Sequence, residues 1–373
     1  MNIAVDIRHL ATNQHSGVGR YTIELISRMP RLAPDDQFTF FASGSAQTLA
    51  KLPNFYGKNV EVVKQETPNR IISAKLIFTA HTLDDFLPKK ADVWFFPNTN
   101  IIKTHRPYAI TIHDLSFELF PQFFRHKDRL WHKTASTRTL TQNAEAILAV
   151  SDNTKNNLTA LWSIPEDKIT TTPLGVDDEF TPNEQPCDQN FLQTYNINYP
   201  YILSLCTLEP RKNIETIIEA YELWRKHNPG AIHHLVIAGG RGWKNSQIHK
   251  LITTSAFASD IHVLGYVLEK QKPTLFRHAD LFVFPSFFEG FGLPIVEALA
   301  SGTPVISSFS GSMQEVGKEH VIYVDPYNVH DLFYAMEVGL KKQKETFILP
   351  SNIYSWDATA RRTLGVLKSI YKK

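Results

Sequence analysis

Glu289 and Glu297 stand with seven residues between them in the run E-G-F-G-L-P-I-V-E. A carboxylate repels a phosphate but accepts hydrogen bonds from neutral hydroxyls, so the pair suits the orientation of a sugar and a ribose. Between the two acids, Gly290 and Gly292 flank Phe291 and let the backbone bend tightly and lie close to a ligand. Pro294 then fixes a helix start just after Leu293. The unpaired N–H groups of that first turn, with the helix dipole behind them, would meet a phosphate oxygen. A second cluster is Arg211-Lys212, in T-L-E-P-R-K-N at the entry to an apolar-periodic stretch. Cations at a helix start oppose the dipole, and a diphosphate there would relieve the conflict, Arg offering a planar fork and Lys a point charge. The third candidate is His113, which ends the strand-like run A-I-T-I. The plain alternatives are solvated surface acids, a solvated basic helix start and a packed histidine.

The elements that must position these groups read as alternating strands and helices. Short apolar runs over 3–7, 38–42, 60–63, 92–96, 109–112, 146–150 and 169–173 alternate with segments of helical spacing, such as 71–86 and 153–161. After a polar stretch over 181–199, in which Phe191 and Tyr195 mark a short helix, the pattern resumes at 201–205, 234–238, 261–264, 281–285 and 304–307. Alternation of this kind predicts parallel sheets covered by helices on both faces. In such sheets ligands bind beyond the carboxyl ends of the strands, where His113, Arg211 and Glu289 all fall. Gly17 and Gly19 are expected in the turn after the first strand, with a helix beginning near Tyr21. Thr22 stands where a dinucleotide fingerprint needs its third glycine, and the loop is long, so a nicotinamide site is disfavoured.

The segments I-H-D-L-S, T-L-E-P-R-K-N and E-G-F-G-L-P with its second glutamate resemble glycosyltransferase family 4 across nearly the whole chain. The likeness is strongest in the second half. It implies the GT-B architecture, two Rossmann-like α/β domains facing across a cleft, with the C-terminal helix crossing back to the first domain. It further implies transfer with retention at the anomeric carbon. Arg211 and Lys212 would bind the donor diphosphate, and His113 and Glu289 would contact the donor sugar. Gly17 and Gly19 would lie over the cleft. Gly242, in the turn G-G-R-G-W, would line the donor site, and Tyr266 and Val267 would offer backbone groups to the base. Cys206 departs from the family pattern, which commonly has glycine there. Together with G-V-G-R-Y near the start, these segments look most similar to bacterial mannosyltransferases of polysaccharide and O-antigen assembly, which suggests GDP-mannose. UDP-glucose or another donor stays open.

Composition sets the outer limits. A chain of 373 residues exceeds one typical core and predicts two domains, and a hydrophobic fraction of 43% can bury both. The expected division is 1–180 on the acceptor side, a linker over 181–199, a nucleotide-sugar domain over 200–352, and a final helix over 353–373. Lys+Arg 39 against Asp+Glu 37 leaves no case for nucleic acid as a partner. Cys187 and Cys206 are too few for a secreted disulfide framework and lack metal-ligand spacing. No run approaches the ~20 apolar residues of a membrane span, and the N-terminus shows no apolar leader, which predicts a cytoplasmic protein. The stretch 117–133 interleaves aromatics with Arg, Lys and His. It reads either as an amphipathic surface packing its rings inward or as an acceptor-side surface meeting anionic lipid at the inner membrane face.

No D-x-D triplet occurs, so neither a metal nor any other cofactor is expected, and the nucleotide sugar enters as co-substrate. The predicted partners are that donor and a glycan or lipid-linked acceptor. Two other readings stand beside transfer: a nucleotide-sugar epimerase or hydrolase, which would release products without an acceptor, and a binding protein, which would hold donor without turnover.

Overall fold

The computed structural model describes residues 1–13, 16–240, 242–243, 245–344 and 353–372. The chain forms two compact units, one of Met1–Gly175 with Ser351–Lys373 and the other of Val176–Pro350. Each is built on a parallel sheet, of seven strands in the first and six in the second.

In unit 1 the strands are β1 (Asn2–Asp6), β2 (Gln37–Ser43), β3 (Val60–Gln65), β4 (Val93–Phe96), β5 (Tyr108–Ile112), β6 (Ala146–Ala149) and β7 (Ile169–Thr171). They lie in the order β3-β2-β1-β4-β5-β6-β7. The central strands are apolar runs rather than alternating ones because both faces are covered, and every residue of β4 and β5 is buried. Val5 of β1 pairs with Phe40 on one side and Phe95 on the other. The final helix, Trp356–Tyr371, belongs to this unit and packs on the helix Gly17–Leu32 and against β4, β5 and β6. Its buried residues, Trp356, Ala360, Leu364, Leu367 and Ile370 among them, keep the helical spacing of one apolar face. The chain crosses closely at Gly175, where an added Cβ would lie 2.1 Å from the Trp356 backbone nitrogen.

Unit 2 carries β8 (Tyr201–Leu205), β9 (His234–Ala238), β10 (Ile261–Gly265), β11 (Leu281–Phe284), β12 (Val305–Ser308) and β13 (Val321–Val324), in the order β10-β9-β8-β11-β12-β13. After β8 the chain winds outward through β9 and β10, then returns to place β11 beside β8 on the other side. Neighbouring strands whose connections leave in opposite directions open a crevice at their carboxyl ends. The sequence reading missed β13, although V-I-Y-V carries the β-branched run that marks a strand.

The stretch 181–199, expected as a linker with a short helix near Phe191 and Tyr195, contains the helix Asp188–Thr194, anchored into unit 2 by the buried pair Asp188–Arg277 at 2.7 Å. Asp188 is buried there against Thr274 and Arg277. One expectation needs correction. The glycines Gly17 and Gly19 are not in a loop but in the first turn of the helix Gly17–Leu32, whose N-cap Ser16 accepts from the Gly19 N–H at 3.0 Å. A serine cap outweighs the poor helix propensity of two glycines at a first turn. Among the described residues, no helix is long and apolar enough to cross a membrane.

Candidate functional site

In unit 2 the two adjacent strands β8 and β11 feed the loops that carry the predicted charges. After β8, Cys206 and Leu208 continue the pairing with the β9 side, Cys206 N–H donating to Ala238 at 2.9 Å and Leu208 N–H to Gly240 at 3.0 Å. Gly239 permits this approach: its φ is +142°, and a Cβ there would sit 1.8 Å from the Cys206 carbonyl oxygen. Gly242 does the same against Leu208, whose carbonyl oxygen would lie 2.3 Å from an added Cβ. Arg241, in the same turn, lies outside the described residues. A short 3-10 turn, Pro210–Lys212, then ends on Asn213 in the left-handed region at φ 58°. Asn213 is buried and donates to the carbonyls of Pro285 at 3.1 Å and Pro326 at 2.7 Å, tying the β8 loop to the β11 and β13 loops.

That tie brings Arg211 and Lys212 onto Glu289. Lys212 Nζ lies 2.6 Å from Glu289 Oε1, and Arg211 Nη1 lies 2.9 Å from Glu289 Oε2. Arg211 reaches Glu209 with its other fork, 2.9 Å from Nη2 to Oε1, and donates to the Phe288 carbonyl at 2.5 Å. Lys212 Nζ also stands over the Phe284 ring, 5.2 Å from its centre. Burial alone would push the Glu289 carboxyl up, but the charges of Arg211 and Lys212 outweigh it and hold the group down at about 2. The four groups Glu209, Arg211, Lys212 and Glu289 carry two charges of each sign.

Glu289 is held from behind as well. Its carbonyl accepts from Ser312 Oγ at 3.0 Å, and Gly311, at φ +65°, is the only residue type that fits there, because a Cβ would meet that carbonyl oxygen at 2.6 Å. Downstream, Gly290, Phe291 and Gly292 are buried, and Gly292, at φ +89°, precedes the helix Leu293–Ala300. That helix begins at Leu293, one residue earlier than the proline implied, with Pro294 second. Neither acid of the spaced pair is a surface group: Glu289 is 7% exposed and Glu297 1%. Beside β10, the Gly239 N–H donates to the Gly265 carbonyl at 2.8 Å, Val267 is buried, and Tyr266 is 40% exposed. The loops after β8, β9, β10 and β11 therefore gather at one sheet edge, bringing together the candidates assigned to this half.

Gly17, Gly19 and His113 belong to unit 1. His113 follows β5, donates from Nε2 to the Pro97 carbonyl at 2.9 Å, and meets the Tyr21 ring edge-on with centres 4.9 Å apart. Burial pushes its pKa down, against the opposing effects of the Pro97 hydrogen bond and Asp114, so the neutral ring presents Nδ1 as an acceptor. Tyr21 stands on the helix that Gly17 opens, so the glycine turn and His113 share one neighbourhood. His9 joins them: its Nε2 donates to Thr22 Oγ1 at 2.9 Å, and burial lowers its pKa to about 4.

Comparison with known proteins places this geometry in a lineage. Residues 15–180 match the family model described as Glycosyltransferase Family 4, and residues 189–352 the model described as Glycosyl transferases group 1. The chain is 30% identical over 329 residues to the O-antigen chain mannosyltransferase B of Escherichia coli, covering 84% of each. This protein is a family 4 glycosyltransferase. Its likeness to a serotype-specific mannosyltransferase of Escherichia coli, WbdA, is 29% over 242 residues, 59% of this chain but 28% of that longer protein. The fold matches the crystal structure of Anabaena Alr3699/HepE in complex with UDP and glucose, with a TM-score of 0.73, 19% identity, and coverage of 99% and 100% of the two chains. The glycosyltransferase thus has the two Rossmann-like domains of the GT-B class.

Three groups of the glycosyltransferase escaped the sequence reading as site residues. Glu209 was visible only as part of a motif, yet it holds the second fork of Arg211. Asn213 carried a signal, since Asn tolerates the left-handed conformation that ends such a turn. His9 carried none, because a histidine two residues past a strand looks like any other.

Proposed function

We propose that this glycosyltransferase moves mannose from GDP-mannose to a hydroxyl of a growing glycan or lipid-linked saccharide, with retention and without a metal. The observation that carries the donor side is the Arg211–Glu289–Lys212 cluster, buried at the switch between β8 and β11. Mannose itself is supported by the mannosyltransferase relative of similar length, and the acceptor class by its O-antigen role.

Glu289 acts as an internal counter-ion for two buried cations. When the donor diphosphate arrives, its oxygens take over the N–H donors of Arg211 and Lys212. Glu289 is then freed to accept from a sugar hydroxyl. As the glycosidic bond to the donor breaks, charge grows on the diphosphate, where Arg211, Lys212 and the first-turn N–H groups of the helix Leu293–Ala300 stabilise it. His113, neutral and fixed by Pro97, offers Nδ1 as a hydrogen-bond acceptor beyond β5 in unit 1. No metal is required in this scheme because the two cations supply the charge.

The test is transfer and hydrolysis of GDP-mannose, UDP-glucose and UDP-N-acetylglucosamine, with a chelator present and with lipid-linked or glycan acceptors. Mannose transfer under chelation is expected, and Lys212→Ala should lower its rate by ~10²–10³. Transfer from a UDP donor alone would remove the mannose assignment, and dependence on added metal would remove the proposed role of the cations as sole charge carriers.

A further inference from the structure

Three aromatic side chains stand at the carboxyl ends of β11, β12 and β13 in unit 2, and none of them holds the charged cluster. Tyr327, in the loop after β13, is 71% exposed, and Phe309, the first residue after β12, is 50% exposed. Phe287, in the loop after β11, packs against Tyr327 with ring centres 4.8 Å apart and planes tilted by 39°. Hydrogen bonds tie the three loops. Ser310 Oγ donates to the Phe287 carbonyl at 2.5 Å, and Asn213 Nδ2 to the Pro326 carbonyl at 2.7 Å. The Tyr327 N–H donates to Asp325 Oδ1 at 2.9 Å. Large exposed rings grouped beside a site mark a binding surface, and loops already fixed in place lose little freedom when a ligand arrives.

We propose that Phe309 and Tyr327, backed by Phe287, form a stacking ledge for uncharged sugar units of the glycan acceptor. A pyranose presents C–H groups on its faces and hydroxyls around its rim, so a face packs on the negative face of an aromatic ring while the rim stays hydrogen-bonded. Ser310 Oγ, whose proton goes to Phe287, keeps its lone pairs for such a hydroxyl. Charge favours a neutral occupant: residues 309–312 and 325–328 include no cation and one acid, Asp325. A phosphate or an anionic lipid would find no counter-ion there. Position favours the acceptor. In the order β10-β9-β8-β11-β12-β13, the loop after β10, where the base is expected, lies at the opposite end from β13, with the diphosphate cluster between them. Each strand adds about 5 Å, so the ledge continues the site away from the nucleotide. The inference rests on the reading of the chain as a transferase that extends a saccharide, and it adds where that saccharide is held.

The test is saturation-transfer NMR on the whole protein with mannotetraose, maltotetraose and tetra-N-acetylchitotetraose as probes, beside calorimetric titration of GDP and GDP-mannose. At least one oligosaccharide should bind, and the double variant Phe309→Ala/Tyr327→Ala should weaken it roughly tenfold or more while leaving GDP affinity unchanged. Tyr327→Phe should bind as wild type does, because stacking uses the ring and not the hydroxyl. Both rings are exposed, so the double variant should keep its fold, and its GDP titration checks this. Binding of none of the probes, or binding unchanged in the double variant, overturns the proposal. A GDP-mannose affinity that falls with the oligosaccharide's also overturns it and gives the rings to the donor. If GDP-mannose binds while no oligosaccharide does, the donor reading stands and the ledge falls. If an oligosaccharide binds through the two rings while GDP-mannose does not bind, the ledge stands and the mannose reading falls.

Discussion

The loops after β8 and β11 and the segment around 117–139 are both rich in cations, but they treat charge in opposite ways. In unit 2, Arg211 and Lys212 are nearly buried, and each is matched to Glu289 within 2.9 Å. In unit 1, the helix His126–Thr134 has no buried residue, and Arg129 and Lys133 extend from its exposed surface. Burying a charge demands a partner in place before any ligand comes, so the unit 2 site is assembled in advance. Exposed cations need none, and their geometry can wait for the ligand. A site that must stabilise a growing charge at one atom gains from the first arrangement.

The comparison can be broken most severely at Gly239. An alanine there must clash with the Cys206 carbonyl and adopt φ +142°, so Gly239→Ala should cost several kcal/mol and leave little folded unit 2. Urea unfolding followed by circular dichroism measures this, and a midpoint equal to wild type would mean that the β8 and β9 loops are not locked together as described.

A smaller effect lies in the acid limb of stability. Glu289 is held below its ordinary value of 4.5, at about 2, so its contribution is complete above the usual carboxylate range and is lost as pH falls from there towards 2. Its size is about 1–3 kcal/mol. Glu289→Gln should therefore flatten the fall in melting temperature between neutral and acid pH. An acid limb as steep as wild type would show that the carboxylate is not held by Arg211 and Lys212.

The smallest effect is expected at Gly17, where a Cβ meets nothing within 4 Å. In a helical first turn, Gly17→Ala should leave stability unchanged or raise it by up to ~1 kcal/mol. With stability so insulated, any loss of transfer in this variant measures how closely the donor or acceptor passes over the turn. Unchanged transfer would take Gly17 out of the binding surface.

Much of this arrangement was legible in the sequence, and the exceptions are instructive. The apolar runs of β8 and β11 and the glycine-proline punctuation after β11 fixed the positions of Arg211, Lys212 and Glu289 relative to their strands, because local chemistry determines a strand end and a helix start. What no local pattern could show is which loops touch. The Arg211–Glu289 contact spans distant segments and follows from strand order alone, and so does the tie from Asn213 to Pro285 and Pro326. The short helix expected near Phe191 and Tyr195 is Asp188–Thr194, but its anchoring through Asp188 to Arg277, far along the chain, had no local signal. The start of the Gly17 helix was lost because two glycines look like a loop until the Ser16 cap is seen.

The central claim, that Glu289 is a counter-ion that the donor diphosphate displaces, is tested most directly by calorimetric titration of GDP into wild type, Lys212→Ala and Glu289→Gln without metal. Loss of Lys212 should weaken GDP roughly tenfold or more, while loss of the Glu289 charge should leave binding as tight or tighter, because a competing anion is gone. GDP binding unchanged by Lys212→Ala, or weakened by Glu289→Gln as much as by Lys212→Ala, would contradict it.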